Sequence, residues 1–123
     1  KLNVVSRIGL GFVFFYHGLM PKILWLSPIE EQLVTLHNTG MPSSILSPLA
    51  GVFEIILASF IVLYSRSLVP VYLAAASLVF LVVDVAWVMP SLLVEAFNPV
   101  TTNVMGLLLC YFIYLSQENA ACN

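Results

Sequence analysis

Apolar and polar positions alternate along the chain in blocks, giving four long greasy stretches separated by three breaks. The stretches cover about 4–26, 45–64, 68–89 and 99–117. Each is close to the roughly 20 apolar residues a helix needs to cross the hydrocarbon core. The pattern predicts an all-α fold, a four-helix transmembrane bundle forming one membrane domain over 1–123. No internal repeat is evident.

The breaks carry their own signals. Ser27-Pro28-Ile29-Glu30 has the form of a capping box, with Ser27 as cap, Pro28 in the first helical position and Glu30 in the third. Ile29, Leu33 and Leu36 then share one side of a short helix over about 28–38. This predicts an interfacial helix with Glu31 and His37 facing water; a plain loop is the alternative. The break around Arg66 is tight. The one at 90–98 carries Leu92, Leu93, Val94 and Phe97 and is expected to dip into the interface. Pro90 ends the third helix, and Asn98 with Pro99 starts the fourth.

Composition reinforces the class. Hydrophobic residues make up 61% of the 123 and charged residues 8%, against roughly 25% charged in a soluble domain. Lipid must be the solvent for much of the surface. A net charge of −2 gives no basic face for nucleic acid. Cys110 and Cys122 are too few for a disulfide framework or a metal site. Cys110 reads as a packing residue. Cys122 could carry a palmitoyl group or nothing, and nothing is the preferred reading. The first stretch is too long for a signal-peptide core and lacks a cleavage site. Beginning at Lys1 rather than Met, the chain is expected to have been trimmed, processed or excised from a longer one.

Charge asymmetry sets an orientation. Lys1, Arg7 and Arg66 fall on or near one side, Lys22 near the other. Positive residues favour the cytoplasm, which places both termini there and the protein in the plasma (inner) membrane.

Polar groups inside apolar segments are costly and tend to face a bundle interior or mark a site. Here they are Arg7, His17, Lys22, Glu54, Asp84 and Asn103. At about 100° per residue, Arg7, Gly11, Gly18 and Lys22 form one stripe of the first helix. Ser47, Gly51, Glu54 and Ala58 form one on the second. Ser77 and Asp84 align on the third, with Trp87 and Val88 beside them, and Asn103, Gly106, Cys110 and Gln117 align on the fourth. The four seams should face each other. His17, Lys22, Glu54, Asp84 and Asn103 then fall in the outer half, as a cluster open to the non-cytoplasmic side. Pro21 cannot donate to the carbonyl of His17, which leaves that oxygen free.

Two readings of the cluster stand side by side. In the structural one, Glu54 pairs with Arg7 or Lys22, and Asp84 with His17 or Asn103. In the functional one, His17 and a carboxylate exchange protons or bind a ligand. Lys22 could instead snorkel to the headgroups, leaving Arg7 to Glu54. Trp25, Trp87, Tyr16, Tyr64 and Tyr72 read as an interfacial belt, with Tyr111 and Tyr114 on the cytoplasmic side.

The residues also resemble a known family. Arg7-x-x-x-Gly11 followed by His17-Gly18-x-x-x-Lys22, Glu54 after Pro48 and Gly51, and Phe97-Asn98-Pro99-Val100-Thr101-Thr102-Asn103 resemble DoxX-like membrane proteins. One subgroup of these occurs alone or joined to an epimerase-like, short-chain dehydrogenase domain. The resemblance implies a four-helix bundle associated with an oxidoreductase or epimerase-like partner. No cofactor is evident in the sequence, and a redox role would need one from elsewhere; a quinone is the ligand the resemblance suggests, with His17 or Lys22 as donor and Glu54 setting its protonation. The chain is then more a subunit than an enzyme on its own, and is compatible with an oligomer. A small transporter or proton-coupled permease component using Glu54 and Asp84 is the second hypothesis. A structural anchor or assembly protein is the third.

Overall fold

The computed structural model describes residues 1–121, and among these every regular element is helical. Helix α1 (Leu2–Leu19) runs on into one wider π turn, Met20–Leu24. Helix α2 (Pro28–Leu36) is short. Helices α3 (Ser43–Leu63), α4 (Val69–Val88) and α5 (Pro99–Ala121) are long, and a 3-10 turn, Pro90–Val94, lies between the last two. Four helices are long and apolar enough to cross a membrane: Leu2–Leu24, Ser43–Leu63, Val69–Val88 and Pro99–Asn119. Cys122 lies outside the described residues.

Local chemistry explains the boundaries. Pro21 has no N–H to return to His17, and the ladder there widens: Trp25 N–H donates to Met20 O at 3.0 Å. A π turn absorbs such a lost bond without ending the helix. Ser27 Oγ accepts from Glu30 N–H at 3.2 Å, so the predicted cap forms and the short element is a helix. Asn98 Oδ1 likewise accepts from Thr101 N–H at 3.0 Å.

Helix α1 packs antiparallel between α3 and α5, and α4 closes the bundle mainly against α5. Leu10, Phe14, Leu57, Ala58, Ile61, Val71, Ala74, Leu78, Cys110 and Ile113 form the central core. On α1 and α3 the predicted seams face each other: Arg7, Gly11, Gly18 and Lys22 are buried, as are Ser47, Gly51, Glu54 and Ala58. On α4 the prediction needs correction. Its buried stripe is Val71, Ala74, Leu78 and Val85, while Trp87 is 88% exposed. An almost uniformly apolar helix carries no amphipathic signal, so two polar residues are a poor guide to its inner face.

Without a hydrophobic drive between helices in lipid, close packing must supply much of the α1–α3 attraction. A Cβ on Gly18 would sit 2.5 Å from the carbonyl oxygen of Gly51. That neighbour is backbone and cannot swing away. Gly18→Ala is therefore expected to force the helices apart and cost about 1–3 kcal/mol. Gly9→Ala, where the nearest atom is the Leu109 Cδ1 at 3.5 Å, should be close to neutral. Unfolding of the two variants in the same bicelles compares them directly.

Candidate functional site

The two ends of the bundle differ in chemistry. At the end holding the chain termini, Arg7 is buried, 2% exposed. Its guanidinium donates to Ile61 O at 2.8 Å, Tyr64 O at 3.3 Å, Ser67 O at 2.9 Å and Asn3 Oδ1 at 3.0 Å. These carbonyls belong to the last turn of α3 and the loop after it. Ile61 O is one of the acceptors that a helix end leaves without an internal partner, and all three lie at the negative end of the α3 dipole. Arg7 thus closes α3 onto α1. The expected Arg7–Glu54 pair does not form, because the two residues lie at opposite ends of the α1–α3 contact.

The other end, where α2 sits, holds the polar cluster. Close approach of Gly18 and Gly51 brings Lys22 onto Glu54, with Nζ to Oε1 at 2.5 Å. Lys22 is buried, so it does not snorkel to the headgroups. Glu30, on the first turn of α2, completes the group: its Oε1 lies 3.7 Å from Lys22 Nζ. The capping box is therefore half-made, with Ser27 capping α2 while the Glu30 carboxylate turns inward. Glu54 Oε2 and Ser47 Oγ, both on the inner face of α3, are buried with no hydrogen-bond partner. Burial pushes the Glu30 carboxyl above the usual range; the Glu54 charge adds to this and Lys22 opposes it.

The remaining predicted residues do not join this group. Asp84 pairs with neither His17 nor Asn103. Its Oδ1 lies 2.8 Å from His37 Nε2, so His37, exposed as expected, also ties the end of α2 to α4. His37 Nδ1 is 2.7 Å from Leu33 O. A carbonyl can only accept, so Nδ1 carries a proton; a second proton must then lie between Nε2 and Asp84. Asn103 is buried on α5 and makes no hydrogen bond to the others. His17 is exposed and lines an open cleft of about 280 Å³ with Tyr16, Met20, Pro21, Trp25 and Ser27. Among the described residues no three His, Cys, Asp or Glu side chains are placed to share a metal ion.

Helix α2 has no buried residue. Leu33 packs on the cluster of Val85, Met89 and Leu92, and polar links hold the ends. The bond to Asp84, then the one to Leu33 O, raise His37 above its ordinary value. A raised folded-state pKa contributes stability that is complete below the unfolded value, about 6.5, and is lost as pH climbs through the folded one. The docking of α2 should therefore weaken as pH rises above about 6.5, by up to about 1 kcal/mol, since the pair is partly exposed. Hydrogen exchange of the α2 amides, corrected for intrinsic rates, should show the loss in wild type and much less of it in Asp84→Asn, where only the Leu33 O bond remains.

A family model described as the DoxX-like family matches residues 11–111. That span includes His17, Lys22, Glu30, Glu54, Asp84 and Asn103 and omits Arg7. No curated protein and no solved structure matches the chain.

Proposed function

The chain belongs to the DoxX-like family, and on that premise we propose that it is a membrane module that binds a quinone-type headgroup and supports a partner oxidoreductase. The observation that carries this reading is the cleft around His17. It has the imidazole as a hydrogen-bond donor for a quinone carbonyl, and Tyr16 and Trp25 as flat partners for the ring. Its open side lies on the exposed flank of a membrane-spanning helix, where an isoprenoid tail can remain in the bilayer. Lys22, the other donor considered from sequence, is committed to Glu54, which leaves the role to His17.

The chain has two cysteines, twelve positions apart, and no dithiol motif, so electrons would pass between the quinone and a partner. Exposed Lys1 and Arg66 at the terminal end favour that end facing the cytoplasm of a plasma (inner) membrane. An oxidoreductase or epimerase-like partner would meet it there.

The chain has two tryptophans, and Trp87→Phe leaves Trp25 as the sole indole. In nanodiscs of that variant, a short-chain ubiquinone analogue should quench Trp25 fluorescence saturably. Adding His17→Ala should weaken binding about tenfold, the equivalent of one lost hydrogen bond. Quenching that never saturates, with no quinone co-extracted from the membrane, would remove this reading.

A further inference from the structure

We propose that Lys22, Glu30 and Glu54 form a one-proton site, loaded from the aqueous phase at the α2 end through Glu30 and seated inside at Glu54. The inference is independent of whether a quinone occupies the His17 cleft. It begins with a charge count. When all three groups are ionised, two carboxylates face one ammonium, leaving one negative charge without a partner. Such a charge is costly away from water, and a bound proton removes it.

Geometry says where the proton goes. The Glu54 side chain is 9% exposed; Oε1 takes the Lys22 hydrogen bond, while Oε2 is buried and has no donor. A bare anionic oxygen is the most expensive form this atom can take. Protonation makes it neutral, and a water between it and polar neighbours would satisfy it further. Glu30 is less enclosed. Its side chain is 28% exposed and lies on α2, so it is in contact with solvent at the interface.

Lys22 lies between the two acids and can relay. It gives a proton from Nζ to Glu54 Oε1, which leaves Oε2 as the carbonyl oxygen of a neutral carboxyl, and regains one from Glu30, either directly as the 3.7 Å gap closes or through one water. Glu30 ends ionised, Glu54 ends protonated and Lys22 ends as it began. One proton has moved inward and no other species is consumed. The charged and titratable groups facing the site are His17 and Lys22 from α1, Glu30 from α2 and Glu54 from α3. Neither α4 nor α5 presents one to it among the described residues. The upward push that burial gives Glu30 agrees with its taking up the proton before passing it inward.

The count makes an unusual prediction about variants. Removing either acid leaves one carboxylate opposite one ammonium, a balanced pair with no reason to keep a proton. Glu30→Gln and Glu54→Gln should therefore each abolish the same titration, whereas an acid titrating alone would be lost in only one of them. The measurement is infrared difference spectroscopy of the full chain in nanodiscs, with ¹³C-labelled glutamate to identify the carboxylic-acid C=O band. Wild type should show one such band per chain, titrating above the ordinary glutamic range of about 4.3, and absent from both variants. No such band in wild type, or its persistence in either variant, overturns the proposal. If the buried substitution does not fold, persistence of the band in Glu30→Gln, at a partly exposed position, still overturns the proposal.

Discussion

Lys22→Met should destabilise the protein by about 3–5 kcal/mol at high pH, the loss expected when one partner of a buried pair is removed and the other stays. Glu54 would then be left buried, with Glu30 as its charged neighbour and no cation to pair with. The magnitude should fall as pH is lowered, because protonating the two acids removes the charge that Lys22 neutralised. Glu54→Met should also be costly, but less so, since Glu30 remains beside the stranded ammonium. The double variant Lys22→Met/Glu54→Met should recover most of the loss, as similar-sized apolar side chains often replace buried pairs at little cost. A double-mutant cycle on unfolding free energies in bicelles isolates the coupling. Losses that simply add would mean the 2.5 Å contact carries little energy.

The same pair shows how far sequence reasoning reaches. Lys22 and Glu54 were legible because each interrupts an apolar helix on a stripe that also holds glycine. That coincidence encodes both the charge and the room for it. Glu30 was not legible as a partner, because its position also satisfies a capping box, and a motif with a sufficient local explanation hides a tertiary one. His37 was missed for a related reason. An exposed histidine near the end of a short amphipathic helix carries no periodic signal of a tertiary partner, and that partner, Asp84, lies 47 positions away. Asp84 was expected on His17 or Asn103 and meets His37, while Asn103 is buried on α5 away from the charged groups. Depth follows from counting residues along a helix, whereas rotation about the axis needs an amphipathic pattern that α4 lacks. The four crossings were readable because length and hydropathy alone determine them.

The separation of the two ends of the bundle also divides their tasks. At the α2 end, ionisable groups lie beside buried polar atoms that have no hydrogen-bond partner. At the terminal end every donor on Arg7 that the structure describes is directed at a carbonyl or amide oxygen. That end is built to hold.

Arg7→Met should accordingly cost about 3–5 kcal/mol, because several hydrogen bonds from a charged donor, each worth about 1.5–3 kcal/mol and not additive, disappear together. Ile61 O is the acceptor that suffers most, since its bond to Arg7 is fully buried, while Tyr64 O and Ser67 O are nearer solvent and can turn to water. Arg7→Lys tests the geometry separately from the charge. An ammonium keeps the favourable position at the negative end of α3, yet cannot span carbonyls from two sides of the loop as a planar fork does. It should retain roughly half of the stability. Hydrogen exchange adds a spatial readout: amides near the ends of α3 and α5 should lose protection in Arg7→Met, because Asn3 also joins Arg7 to Ser116 and Ile113 O. Amides around Lys22 and Glu54 should change little at first. A uniform loss of protection along both helices, or a stability change below about 1 kcal/mol, would show that Arg7 does not act as the local clamp described.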